Sequence, residues 1–155
     1  MSNNEIKNIN IENGRIMFRN FSGKEGKYNP AGRRNFCVCI DPSSADALRA
    51  EGWNIKTLAP RDEEEEPIPY LQVRVNYDNI PPKIYMVTKK KKTLMNADTI
   101  AALDYAQIIS CDMTIRPYVW DTENNKVTAY VQTMYVTIEE DEFASTYDFD
   151  DSDDE

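Results

Sequence analysis

Four stretches of the chain each place a cationic side chain close to an aromatic one, two or four residues apart. Residues at these spacings point to the same face of a β-strand, so each stretch would present a charge beside a ring. Unpaired bases stack on aromatic rings at roughly 1–3 kcal/mol per base, while Lys and Arg contact the phosphates. We therefore predict a surface for single-stranded nucleic acid. The predicted residues are Arg19 with Phe21, Tyr70 with Arg74, Lys83 with Tyr85, and Arg116 with Tyr118 and Trp120.

Two clusters of basic residues would add phosphate contacts, which supply most of the affinity in non-specific binding. A lysine run alone is typical of a solvated loop, and the ring of a strand tyrosine often fills a core instead of binding a ligand. Four charge–ring pairs on four different strands favour the binding interpretation. The two clusters are Arg33 with Arg34, and the run of Lys89, Lys90, Lys91 and Lys92.

The charge of the chain is divided unevenly. The net charge is −9, from 18 basic and 27 acidic residues. Ten of the acids lie in residues 139–155, which contain no Lys or Arg, so residues 1–138 carry a net charge of +1. Five further acids form a run at 62–66, between Pro60 and Pro67, which we expect to be an exposed loop. Apart from that run, residues 1–138 carry +6, a charge that suits a polyanionic partner.

We accordingly divide the chain into a binding domain, residues 1–138, and an acidic tail, residues 139–155. A block of like charges repels itself and buries little apolar surface, so the tail is expected to be disordered. Three roles are open for it: keeping the protein soluble, competing with nucleic acid for a basic groove, and binding protein partners. The aromatic residues Phe143, Tyr147 and Phe149, set among the acids, favour an interaction role.

Apolar residues that alternate with polar ones predict strands with one buried face. In the first of these strands we expect Ile16 and Phe18 to face the core, while Arg19 and Phe21 share the outer face. The predicted strands are Arg15–Phe21, Arg34–Asp41, Trp53–Leu58, Tyr70–Asp78, Lys83–Thr88, Ile108–Trp120 and Val127–Ile138, the last two joined by a hairpin loop at 121–125.

Two helices are predicted between the strands. One spans Ser43–Glu51, with Ser43 or Ser44 as N-cap, and the other spans Asn96–Ala106. Segments Ser22–Arg33 and Lys89–Thr93 are expected to be exposed loops. The order of elements favours a mainly β fold, a five-stranded oligonucleotide-binding (OB) barrel with one or two short helices and the acidic tail. A β-sandwich and an open sheet remain as alternatives.

We expect no catalysis, metal or cofactor. The chain has no histidine, the commonest general base, and no phosphate-loop, serine-hydrolase or zinc-protease motif. Its cysteines, Cys37, Cys39 and Cys111, are odd in number and are expected to be buried structural thiols. No segment is apolar enough for a membrane span or a secretory signal, which predicts a protein of the cytoplasm.

Taken together, several stretches resemble the single-stranded-DNA-binding proteins of tailed bacteriophages. The resemblance extends over most of residues 15–143. The stretches that carry it are Phe18–Gly23, Arg34–Val38, Gly52–Ile55, Pro81–Tyr85, Ile115–Trp120, and Thr133–Ile138 followed by Glu139–Phe143.

This resemblance implies an OB barrel that coats single-stranded DNA during phage replication, recombination or repair in the host cytoplasm. It also implies a tail that recruits replication proteins, such as a polymerase, helicase or recombinase, and competes with DNA for the groove. Tails of bacterial relatives end in a hydrophobic residue, whereas this chain ends in Asp153-Asp154-Glu155. Docking on partners would therefore have to use Phe143, Tyr147 or Phe149. The oligomeric state stays open, a dimer included.

One alternative is an acidic protein that imitates DNA and blocks a host nuclease or defence enzyme. The carboxylate runs at 62–66 and 139–155 would supply its negative surface. A mimic should also carry acids on its strands, where this sequence has Arg, Lys and aromatic residues. A structural accessory protein of the virion is a third, weaker alternative.

Overall fold

The computed structural model describes residues 6–27, 29–59, 62, 64, 66–78, 80–89, 91–121, 123 and 126–139. Strands dominate this part of the chain, with one α-helix, α1 (Pro42–Glu51), and one 3-10 helix (Ile100–Asp104). The strands are β1 (Ile9–Gly14), β2 (Ile16–Asn20), β3 (Arg34–Cys39), β4 (Ile55–Leu58), β5 (Ile68–Val75), β6 (Lys83–Val87), β7 (Lys92–Leu94), β8 (Ile108–Asp121) and β9 (Lys126–Ile138).

The strands form one curled sheet with the order β1-β8-β9-β5-β3-β2. The two ends of this path, β1 and β2, are separated in sequence by Arg15 alone, so the sheet has to curl back towards its beginning. Strand β4 pairs with β5, and β7 pairs with β6. The predicted class, a mainly β fold of the OB type with one or two short helices, is confirmed, but the described residues form a curled open sheet of nine strands in place of the predicted five-stranded barrel.

Strand β9 organises the sheet because it pairs along both of its edges. One edge pairs with β8 from Lys126 to Ile138. The other edge pairs in parallel with β5 at Ala129 and Tyr130, and then with β6 from Thr133 to Thr137. The outer face of β9 is therefore continuous with the outer face of β5 at one end of the strand and with that of β6 at the other end.

The hydrophobic core lies on the inner face of the curled sheet. Strand β5 shows the expected alternation, with Leu71, Val73 and Val75 buried and Gln72 and Arg74 turned outward. Burying each such apolar side chain contributes roughly 1.5–3 kcal/mol, so the alternation fixes which face of the strand points outward.

Strand β2 departs from the predicted alternation. Phe18 has a φ of +52°, and the register with β3 shifts between Met17 and Asn20. A bulge of this kind inserts one residue and reverses the faces that follow it. Phe18 is consequently 59% exposed, whereas Phe21 is completely buried with its ring 5.3 Å from that of Phe36. The prediction of an inward Phe18 and an outward Phe21 is wrong.

Helix α1 begins one residue earlier than predicted. The carboxylate of Asp41 accepts a hydrogen bond from the Ser43 backbone N–H (3.1 Å), so Asp41 is the N-cap in place of Ser43 or Ser44. The helix ends at Gly52, whose φ of +113° is the left-handed conformation that glycine favours.

The second predicted helix, Asn96–Ala106, is reduced to the 3-10 helix. At its start the Asn96 side chain accepts bonds from the backbone N–H groups of Asp98 and Thr99. At its end Arg19 Nη1 donates to the carbonyls of Leu103 (2.8 Å) and Ala106 (2.7 Å). Side chains thus form hydrogen bonds with backbone groups that would bond to each other in a longer α-helix.

Two strands were missed in the sequence. Strand β1 has an alternating pattern, Ile9 and Ile11 against Asn10 and Glu12, that could have revealed it. Strand β7 begins at Lys92, so Lys89 and Lys91 lie at the tip of a β6–β7 hairpin and not in an irregular loop. Within the described residues, no helix has the length and apolar character needed to cross a bilayer.

Candidate nucleic-acid interface

Two adjoining hollows on the outside of the sheet share one residue, Arg74. The first, of about 270 Å³, lies between residues 30–34, residues 75–78 and Tyr130. The second, of about 500 Å³, lies between the end of α1, Trp120 and residues 126–128. We call the two hollows together the Arg74 groove.

The sheet register places Arg74 at the centre of this groove. On one side Arg74 pairs with Asn35 of β3, and on the other with Tyr130 of β9. Its guanidinium is a cation that presents several N–H donors in one plane. A single side chain is thus available to both hollows.

The groove is rich in positive charge. Among the described residues that line it, Asp78 is the single carboxylate. Arg49 pairs with Asp46 at 3.2 Å, but the Asp46 side chain is almost fully exposed, so this pair neutralises little. The cationic lining residues are Arg33, Arg34, Arg49, Arg74 and Lys126.

Arg34 is held firmly in the first hollow. Its Nη2 donates to the Ala97 carbonyl (3.1 Å), and its guanidinium carbon lies 5.7 Å from the centre of the Tyr77 ring. Burial raises the pKa of Tyr77, and the charge of Arg34 partly opposes that rise. In the described part of the chain, Arg34 Nε and the Tyr77 hydroxyl are buried without a hydrogen-bond partner. Such orphaned groups cost stability unless a bound molecule or an ordered water supplies the missing partner.

Aromatic rings extend from the groove along β8 and β9. Arg116 faces Tyr130 across the two strands, with its guanidinium carbon 5.0 Å from the ring centre. Tyr118 meets Tyr130 edge-on, at 6.3 Å and 81°. Tyr118 and Trp120 are 54% and 57% exposed, so their faces can receive a base.

Tyr130 and two lining cations of this surface, Arg49 and Lys126, were missed in the sequence. Tyr130 lines the first hollow, and its position between the buried Ala129 and Val131 could have revealed that it faces outward. Phe18 lies beside Tyr70, with ring centres 6.1 Å apart, and both residues lie outside the two hollows; Phe18 becomes exposed only because of the bulge in β2.

A second group of charged and aromatic residues lies at the other end of β9. The rings of Tyr85 and Tyr135 are nearly parallel, 5.1 Å apart at 9°, and Lys92 Nζ lies 4.7 Å from the centre of the Tyr85 ring. We call Tyr85, Lys92 and Tyr135 the hairpin cluster. Lys83, Lys89 and Lys91 are exposed on the same β6–β7 hairpin.

Some predicted site residues do not join either surface. A completely buried Phe21 cannot stack on a base, so its assignment to the binding surface is corrected to a core role. Arg19 is directed at the carbonyls that end the 3-10 helix, which makes it a structural residue. Lys90, Phe143, Tyr147 and Phe149 lie outside the described residues.

Two of the three cysteines lie where thiols are inert, whereas Cys39 is only partly buried and departs from the prediction of a buried thiol. Cys37 and Cys111 are buried, and burial raises the pKa of Cys37 to about 11 and that of Cys111 to about 12. At neutral pH both are therefore uncharged thiols, which are poor nucleophiles and poor metal ligands. No group of three or more Cys, Asp or Glu side chains suited to a metal occurs among the described residues.

Comparison with solved structures shows the same fold in phage proteins. The single-stranded DNA-binding protein from bacteriophage Enc34 in complex with ssDNA has a TM-score of 0.55 and 12% identity, covering 87% of this chain and 88% of that chain. The same Enc34 protein in another structure has a TM-score of 0.53 and 12% identity, covering 91% and 90%. Its C-terminal truncation has a TM-score of 0.53 and 11% identity, covering 87% of each chain.

No curated protein matches the chain. The model of one protein family, described as "putative phage ssDNA-binding domain", matches residues 1–153. The match includes nearly the whole sequence, and the folded part agrees with the Enc34 structures in its architecture. The chain therefore belongs to this family of phage ssDNA-binding domains.

Proposed function

We propose that the protein binds single-stranded DNA in the Arg74 groove without strong sequence preference. The observation that carries the proposal is the convergence of Arg33, Arg34 and Arg74 on one hollow that Tyr130 also lines. Family membership and the ssDNA complex of the Enc34 protein support the choice of ligand.

Each part of the groove has a distinct chemical task in this proposal. The arginines contact phosphate oxygens, which are present at every nucleotide and carry no sequence information. Tyr118, Trp120 and Tyr130 offer ring faces or edges to unpaired bases, and stacking tolerates any base. Duplex DNA would gain less, because paired bases hide their faces within the helix.

The wider role follows from the ligand. We propose that the protein coats single strands during phage DNA replication, recombination or repair in the host cytoplasm, without catalysing a reaction and without a cofactor. The family and the Enc34 proteins are named for single-stranded DNA binding, and that is the part of this role that they support.

The acidic tail, residues 139–155, is proposed to modulate DNA binding and to recruit replication proteins through Phe143, Tyr147 or Phe149. Ten tethered carboxylates have a high effective concentration near the basic residues of the domain. Deleting the tail should therefore tighten DNA binding several-fold at low salt. The gain should vanish at high salt, because screening removes the competition. Equal affinity with and without the tail at low salt would show that it does not compete.

Tryptophan fluorescence provides the direct test of DNA binding. Trp120 is 57% exposed beside the groove, whereas Trp53 is 2% exposed, so Trp120 should report a stacked base. Titration with oligo-dT should quench this signal, with an affinity that falls steeply with salt, and a duplex of equal length should bind more weakly. The proposal fails if oligo-dT does not bind at low salt to either the full chain or the tail-deleted protein.

A further inference from the structure

Two other hollows adjoin each other where the described chain ends. One, of about 470 Å³, is lined by residues 88–89 and 137–139, and the other, of about 430 Å³, by residues 13–16, Arg19 and Ile108. Both are lined by Ile109. We call the two together the Ile109 groove. It lies near Ile138, roughly 25 Å along β9 from Tyr130 in the Arg74 groove.

Ile109 gives this groove an apolar centre, and its charged lining is mainly cationic, with Lys89, Arg15 and Arg19 against one carboxylate, Glu139. The Ile109 side chain is 64% exposed, which leaves a large apolar surface in water. Lys89 lines one hollow and Arg15 the other, and both are exposed. An apolar patch between cations fits a ligand that carries an aromatic side chain among carboxylates.

The chain itself supplies such a ligand. The Glu139 backbone N–H donates to the Gln107 carbonyl (2.7 Å), which fixes the exit of the tail two residues from Ile109 in sequence. The remaining 16 residues carry nine acids, no bases and three aromatic residues. Phe143 follows Glu139 by four residues, which allows an extended reach of about 13 Å.

We infer that the start of the tail, residues 140–149, docks in the Ile109 groove of its own chain. Phe143 packs against Ile109, and the neighbouring carboxylates lie near Lys89 and Arg15. A second copy of the chain could supply the same segment only at a far lower effective concentration, because the tethered segment begins at the groove.

Docking at this position determines where the tail meets DNA, a consequence that rests on the proposed function. The acids are held beside Lys89 and the other lysines of the β6–β7 hairpin, far from Arg74. The tail then competes with DNA at the hairpin. An oligonucleotide short enough to fill only the Arg74 groove should bind equally well with and without the tail, while a longer one should gain affinity on tail deletion.

The docking itself is tested without DNA, so its failure is distinct from failure of DNA binding. NMR spectra of the full chain with labelled phenylalanine rings would be compared with those of a synthetic peptide of residues 139–155. We expect the Phe143 ring signals of the full chain to differ from those in the peptide. The Ile109→Ser substitution should move them to the peptide positions. Ile80→Ser is a matched control, because Ile80 is 60% exposed and lines neither hollow.

Three results would overturn the inference. The first is a Phe143 signal that coincides with that of the peptide in the unmodified chain. The second is an equal response to Ile109→Ser and Ile80→Ser. The third is a Phe143 shift that grows with protein concentration, since this would indicate docking between two copies. Unchanged signals of the buried Phe21 and Phe36 rings would show that each variant is folded. If Ile109→Ser does not fold, Lys89→Glu provides a second test, because it should also release Phe143.

Discussion

The Arg74 groove and the hairpin cluster combine the same residue types on the same outer face of β9, but they present them differently. In the hairpin cluster, Tyr85 and Tyr135 stack on each other and Lys92 lies against the Tyr85 ring. Near the Arg74 groove, Tyr118 and Tyr130 meet edge-on, and Tyr118 and Trp120 are more than half exposed. Both rings of the hairpin cluster are covered, whereas near the Arg74 groove Arg116 covers part of Tyr130 but Tyr118 and Trp120 remain open.

This difference separates two contributions to DNA binding. A base that stacks on Tyr85 would have to displace Lys92 or Tyr135 and lose their mutual contacts, worth about 0.5–1.5 kcal/mol for the aromatic pair. A base that stacks on Trp120 displaces only water. We therefore expect the Arg74 groove to supply stacking and charge, and the hairpin to supply charge alone.

The largest expected effect is that of Arg74→Ala. Losing a charged donor that serves both hollows should cost about 1.5–3 kcal/mol, at least a tenfold loss in oligo-dT affinity. Arg74→Lys should recover part of the loss, since it restores the charge without the planar fork. Lys7→Ala, at an exposed position outside both surfaces, is the control. If Arg74→Ala behaves like Lys7→Ala in equilibrium titrations, the groove is wrongly placed.

Trp120→Ala set against Tyr135→Ala tests the comparison most directly. Removing the open ring should weaken binding by about 1–3 kcal/mol, whereas removing the stacked one should change affinity less than about twofold. Fluorescence anisotropy with a labelled oligo-dT measures both, and Trp120→Phe should retain most of the affinity. Equal losses for the two alanine variants would contradict the distinction between open and covered rings.

The smallest expected effect is that of Lys91→Ala on the exposed hairpin. One lost phosphate contact should reduce the slope of log affinity against log salt by about 0.7, the value for a single strand. Affinity at high salt should hardly change. Titrations at several salt concentrations measure the slope, and a loss of affinity that persists at high salt would mean that the hairpin does more than attract phosphate.

Local patterns in the sequence predicted much of the fold because strand alternation is a local property. The strands β5, β8 and β9 lie close to their predicted positions, and Arg74, Arg116, Tyr118 and Trp120 face outward on them. Prediction failed at Phe18 and Phe21, where a bulge with a positive φ reverses the faces. Prediction failed again after Asn96, where the side chain of Arg19, 84 residues away in sequence, donates a hydrogen bond to the Leu103 carbonyl.

The sequence by itself determined the division of charge, the period-two strands and the pairing of cations with rings, because each depends on residue types and short spacings. Only the tertiary structure decided which rings remain open. Tyr85 lies against Tyr135 because β6 pairs with β9, and Arg34, Arg74 and Tyr130 line one hollow because β3, β5 and β9 are neighbours. Exposure of a side chain depends on what packs beside it. The residues brought together on paired strands are distant in sequence, from 40 positions for Arg34 and Arg74 to 56 for Arg74 and Tyr130.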